Sequence, residues 1–140
     1  MARTISAGYV GGITLLEADN PLTITTTGSV SSTDAAALTT AGTVDWVIGN
    51  AGTIAAGGTV AASVGIQMNA AGGTITNAVG GHISGGQFGI YGTKHTTLTN
   101  SGTIIGSGAV TAVAVRIDTG EVTNSGGTIK GAHNGVQLAG

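Results

Sequence analysis

Three stretches of this chain repeat one phrase: Ile48-Gly49-Asn50-Ala51-Gly52-Thr53-Ile54, Leu98-Thr99-Asn100-Ser101-Gly102-Thr103-Ile104 and Val122-Thr123-Asn124-Ser125-Gly126-Gly127-Thr128-Ile129. A phrase that returns every two dozen residues or so marks a short unit stacked on copies of itself, because a unit that small cannot bury an apolar face alone. With small insertions allowed, Ile75-Thr76-Asn77 and Gly81-His82-Ile83 form another copy. Ile24-Thr25-Thr26 and Gly28-Ser29-Val30 form an earlier one, with Thr in place of Asn. The anchors Ile24, Ile48, Ile75, Leu98 and Val122 lie 24, 27, 23 and 24 residues apart. A second phrase recurs between them, as in Gly12-Ile13-Thr14-Leu15, Gly65-Ile66-Gln67-Met68, Ala114-Val115-Arg116-Ile117 and Gly135-Val136-Gln137-Leu138, with Gly89-Ile90-Tyr91-Gly92 and Ala35-Ala36-Ala37-Leu38 as weaker members.

Inside each phrase apolar residues alternate with Thr, Ser, Gln or Gly, the period of a half-buried strand rather than of a helix. Gly, Asn and Ser between the phrases supply corners. Segments one period apart resemble each other more than sequence neighbours do, which favours a β-solenoid over hairpins. The expected fold is all-β: a parallel β-helix of about five coils of 23–27 residues, three short strands to a coil. Its interior should hold three columns: Ile24, Ile48, Ile75, Leu98, Val122; then Val30, Ile54, Ile83, Ile104, Ile129; then Ile13 and Leu15, Ala36 and Leu38, Ile66 and Met68, Ile90, Val115 and Ile117, Val136 and Leu138. Residues 1–12 read as an N-terminal segment folding over the first coil, with Tyr9 and Val10 covering it, and residues 13–140 as the repeats.

Composition agrees. Of 140 residues 27 are Gly and 7% are charged, while 41% are hydrophobic, so the apolar pattern supports a folded chain despite the scarcity of charge. Arg3, Lys94, Arg116 and Lys130 are scattered and the formal net charge is −2, which gives a nucleic-acid backbone no basic patch. Cysteine is absent, which removes thiolate chemistry and disulfides. No run of about 18 apolar residues is available for a membrane-spanning helix, and Met1–Gly8 lacks the hydrophobic stretch of a secretory signal. The chain reads either as an excised piece of a longer exported protein with an added start, the preferred reading, or as one exported by another signal.

The Asn-x-Gly-Thr-Ile phrase, the Gly-Ile/Val-x-Leu phrase, the run Ala18-Asp19-Asn20-Pro21-Leu22-Thr23-Ile24 and the Gly/Thr/Ala-rich background resemble passenger domains of bacterial autotransporters. The resemblance runs from about Gly12 to Gly140. It implies a right-handed parallel β-helix, secreted or held at the outer surface of a Gram-negative bacterium. The implied role is stalk, scaffold or adhesive surface, with a host surface or glycan as partner. The matched residues are core and corner residues, which specify the fold and not an activity.

Candidate chemistry is sparse. His82, His95 and His133 have no second ligand-type residue at metal spacing, so no metal or cofactor is expected. Glycoside hydrolysis needs two opposed carboxylates. The close pairs among Glu17, Asp19, Asp34, Asp45, Asp118 and Glu121 are Glu17 with Asp19 and Asp118 with Glu121. The second pair reads as a turn, Asp118-Thr119-Gly120-Glu121, near Arg116. A glycan-active enzyme is thus an alternative, and no enzyme the preferred reading. Asn50, Asn77, Asn100 and Asn124 read as a structural column hydrogen-bonding up the stack.

Thr23, Thr25, Thr74, Thr76, Thr97, Thr99 and Thr123 should point outward on one face, like the flat Thr arrays of ice-binding solenoids, though Val47, Gly49 and Glu121 break the array. The C-terminal phrase Gly135–Gly140 leaves an open end, expected to meet further coils of a parent chain or another copy of the protein. The latter would make a self-assembling fibre.

Overall fold

The computed structural model describes residues 1–33, 35–69 and 71–140, so Asp34 lies outside the described residues. Each alternating phrase is a short strand, and the strands come in threes. The first tier is β1 (Arg3–Ile5), β2 (Gly8–Val10) and β3 (Ile13–Leu15). After a 3-10 turn at Glu17–Asp19 the second follows: β4 (Leu22–Ile24), β5 (Ser29–Ser32) and β6 (Leu38–Thr40). The third is β7 (Trp46–Asn50), β8 (Thr53–Ala56) and β9 (Val64–Met68), and the fourth opens with β10 (Gly73–Asn77) and β11 (His82–Gly85). From there the pattern changes. β12 (Phe88–Asn100) is a single strand of 13 residues that closes tier four and opens tier five. β13 (Thr103–Gly106) follows, β14 (Val113–Asn124) joins tiers five and six in the same way, and β15 (Thr128–Gly131) and β16 (Asn134–Leu138) complete the sixth.

All strand pairings among the described residues are parallel, each strand meeting its counterpart one tier away, so the chain is a β-solenoid of about five turns. At about 4.8 Å per step the stack rises roughly 24 Å. Face two is the six-stranded sheet β2-β5-β8-β11-β13-β15. Faces one (β1, β4, β7, β10) and three (β3, β6, β9, β16) are fused by β12 and β14, which run through the corner between them.

Face two has the expected column, with Val30, Ile54, Ile83, Ile104 and Ile129 in register and Tyr9 added below Val30. Val30, Ile54, Ile83 and Ile104 are wholly buried, each contributing about 1.5–3 kcal/mol through apolar burial.

On face one the expected register is corrected at its lower end. Leu22, not Ile24, lies under Ile48, and Ile24 lies under Asn50. The physical reason is that tier two buries two apolar residues, Leu22 and Ile24, at the positions where tiers three to five bury an Ile or Leu and an Asn. The step from Leu22 to Ile48 is therefore 26 residues, and that from Arg3 to Leu22 only 19, outside the expected 23–27.

Face three is corrected similarly. Ile13 and Leu15 stand under Leu38 and Thr40, and those under Ile66 and Met68, so Ala36 is not a column residue. The segment 1–12 is not a cap folded over the first coil: β1 and β2 belong to the lowest tier, paired in register with β4 and β5. Asp118 to Glu121 is not a turn either but part of β14, which passes the corner with Gly120 at φ +132°.

Candidate functional site

Where face one turns to face two, each upper tier places an Asn inward. Asn50 Nδ2 donates to Asn77 Oδ1, Asn77 Nδ2 to Asn100 Oδ1 and Asn100 Nδ2 to Asn124 Oδ1, each at 2.8 Å. Each amide also donates to the carbonyl of the Gly that closes its own corner: Gly52, Gly81 and Gly102 at 3.2 Å and, at the top, Gly127 at 2.8 Å. Asn50, Asn77 and Asn100 are buried, so these bonds replace the water the amides gave up. Among the described residues no non-glycine has positive φ, so Asn serves these corners by side-chain bonding and not by a left-handed backbone. Gly102 is required for space: a Cβ there would run into the Gly81 and Ala78 carbonyls and the Asn77 amide.

Face one outside the ladder carries the Thr residues in two rows. Thr4, Thr23, Thr76, Thr99 and Thr123 share one, interrupted by Gly49. Thr74 and Thr97 share the other with Val47 and Glu121. Thr25 belongs to neither, a correction that follows from the shifted register. It sits past the end of β4, its backbone N–H bonded to the Ile5 carbonyl at 3.0 Å.

The titratable residues are dispersed. Glu17 and Asp19, the closest acidic pair in sequence, hold the base of the stack together. Asp19 accepts the Leu16 N–H at 2.9 Å and pairs with Arg3 at 3.5 Å, while Glu17 accepts the Thr43 N–H at 2.8 Å. Asp118 lies two residues beyond Arg116 along β14, whereas Glu121 is past the Gly120 corner on face one. His82 stands in a row with Thr53 and Thr103, His95 opposite Thr119, and His133 between β15 and β16. Among the described residues no three His, Cys, Asp or Glu gather as metal ligands.

A groove of about 540 Å³ lies at the corner between faces three and one, lined by Asp45, Trp46, Gly72, Gly73, Lys94 and His95 among others. Sequence reasoning did not bring these residues together, since they come from successive tiers and belong to no repeated phrase.

The two ends differ. At the base Arg3 lies beneath Leu22 and Tyr9 beneath Val30, and Ile5 and Ile13 are only 8% and 7% exposed. At the top Val136 and Leu138 are 41% and 58% exposed, and β15, β16 and the Thr119–Asn124 part of β14 have no strand above them among the described residues. No helix of the described residues is long and apolar enough to cross a membrane. No family model, no curated protein and no solved structure matches the chain.

Proposed function

We propose that this solenoid is a non-catalytic stalk or scaffold segment of a secreted or surface-held bacterial protein of the autotransporter type. The observation that carries the reading is the run of parallel in-register strands through every tier, reinforced from Asn50 upward by the side-chain ladder. A rod that couples each tier to the next in this way transmits position along its axis, and its carboxylates at Glu17 and Asp19 serve corners rather than a reaction centre. The resemblance of the Asn-x-Gly-Thr-Ile repeat to passenger domains supplies the context of export and surface display.

The uncovered top edge suits a further tier that carries Asn above Asn124. It suits the base of a second copy poorly. Continued in register, a second copy would set Arg3 on Val122 and Ile5 on Asn124, burying a cation and breaking the amide ladder. End-to-end fibres are the second reading, favoured by the same exposed edge. Sedimentation that stays monomeric as concentration rises would remove it.

Fusion of the chain to an outer-membrane translocator barrel in a Gram-negative host tests the main reading. The expected result is an N-terminal tag cleaved by protease on intact cells while the solenoid resists. Retention and degradation in the periplasm, or release of oligosaccharides from a polysaccharide panel by the purified chain, would overturn it.

A further inference from the structure

Face three holds a feature that a stalk does not require. Its outward positions are in strict register, Thr14, Thr39, Gln67, Tyr91, Arg116 and Gln137, one to a tier. The row spans roughly 19 Å from Thr14 to Arg116 at about 4.8 Å a step. Its lower half lines a groove of about 320 Å³ that includes Thr14, Thr39 and Gln67. Its upper half is the aromatic centre of the molecule. Phe88 and Tyr91, two of only four aromatic residues, lie 5.0 Å apart, and the Arg116 guanidinium carbon lies 5.9 and 5.7 Å from their ring centres. Arg116 makes no ion pair among the described residues, and its Nε is shielded from water without a hydrogen-bond partner.

We propose that this row is a binding strip for a linear acidic oligosaccharide, laid along the axis of the stack. A sugar ring presents an apolar C–H face, which Tyr91 can support, and hydroxyls that Thr14, Thr39 and Gln67 can meet from the groove. A uronic acid adds a planar carboxylate. An arginine already desolvated on one side by two rings, with its fork of donors unpaired, is the group that recognises a carboxylate with two parallel hydrogen bonds. Contact with both rings restricts the Arg116 side chain before the anion arrives, so less side-chain freedom is lost on binding. No bond is made or broken. The strip lies on a different face from the Thr rows and does not depend on how the chain reaches its location.

Titration calorimetry and ¹⁵N NMR of the whole chain with tetragalacturonate test the proposal, with a neutral galactan tetramer and monomeric galacturonate as comparisons. The expected result is saturable binding of tetragalacturonate, at least tenfold tighter than either comparison, with the largest shifts at Gln67, Tyr91 and the Arg116 Nε–H. Arg116→Gln and Tyr91→Thr should each weaken binding at least tenfold, Arg116→Lys by less, and Glu121→Gln on face one by less than twofold. If a variant fails to fold, the shift map of the unmodified chain decides by itself. The proposal is overturned if tetragalacturonate does not bind at millimolar concentration, if the neutral tetramer binds equally well, or if the shifts fall outside face three.

Discussion

Ile24 lies directly beneath Asn50 in the parallel register, and the Asn50 side-chain oxygen is buried with no hydrogen-bond donor. Every higher Asn in the ladder receives an N–H from the one below it, and Asn50 alone rests on a hydrocarbon. The orphaned carbonyl costs about 1–3 kcal/mol. Ile24→Asn supplies the missing donor at the expense of aliphatic burial. Its destabilisation in urea should be at least about 1 kcal/mol smaller than that of Ile54→Asn, where nothing can accept or donate. Equal losses at both positions would show that the ladder cannot be extended downward.

Removal of an amide from the middle of the ladder strands its neighbours. Asn77→Ala leaves Asn100 Oδ1 without its donor and Asn50 Nδ2 without its best acceptor. A loss of about 2–4 kcal/mol is expected. Asn124→Ala, at the exposed top, should cost about 1 kcal/mol. Equilibrium denaturation of the two variants side by side checks the contrast.

The face-two column provides a second gradient. Ile104 is fully buried between Ile83 and Ile129, whereas Ile129 has only Ile104 below it and is partly exposed. Ile104→Ala should cost about 2–5 kcal/mol through lost burial and a residual cavity, and Ile129→Ala less than half as much. Midpoint shifts at unchanged denaturant dependence would confirm that both act on the same cooperative unit.

Glycines at positive φ divide into two kinds. Gly73, at φ +146°, is stacked between Trp46 and Thr96, and a Cβ there would collide with the Trp46 backbone. Gly80, at φ +82°, has open space around it. Gly80→Ala should therefore show backbone strain alone, on the order of 1 kcal/mol. Gly73→Ala should cost clearly more and lower the melting temperature further. Similar melting temperatures would mean that the strands can part at no cost.

Much of this architecture could be read from the residues because the repeat records it twice, once in spacing and once in alternation. Face two is legible from Val30 upward: each of its strands there places a Val or Ile directly after Gly-Thr, Gly-His or Gly-Ser, which fixes the register. Face one failed at its base because Ile24-Thr25-Thr26 imitates Ile75-Thr76-Asn77, while the burial pattern follows Leu22-Thr23-Ile24. The same comparison would have exposed the first tier, since Arg3-Thr4-Ile5 matches Leu22-Thr23-Ile24 at its last two residues. The long strands β12 and β14 are hidden because the chain rounds these corners without leaving the sheet, although Asp118-Thr119-Gly120-Glu121 has the composition of a turn. The row on face three escaped notice for another reason. Its members fill the variable position of the Gly-Ile/Val-x-Leu phrase and differ in chemical type from tier to tier, so the repeat does not mark them.

The unequal ends give the rod a direction in its fluctuations. Each tier is held only by its nearest neighbours, so local opening spreads inward from an exposed boundary rather than occurring everywhere at once. With Arg3 clasped to Asp19 at one boundary and Leu138 bare at the other, amide exchange in the isolated chain should begin at the bare boundary and slow toward the clasped one, like a zipper with a single slider.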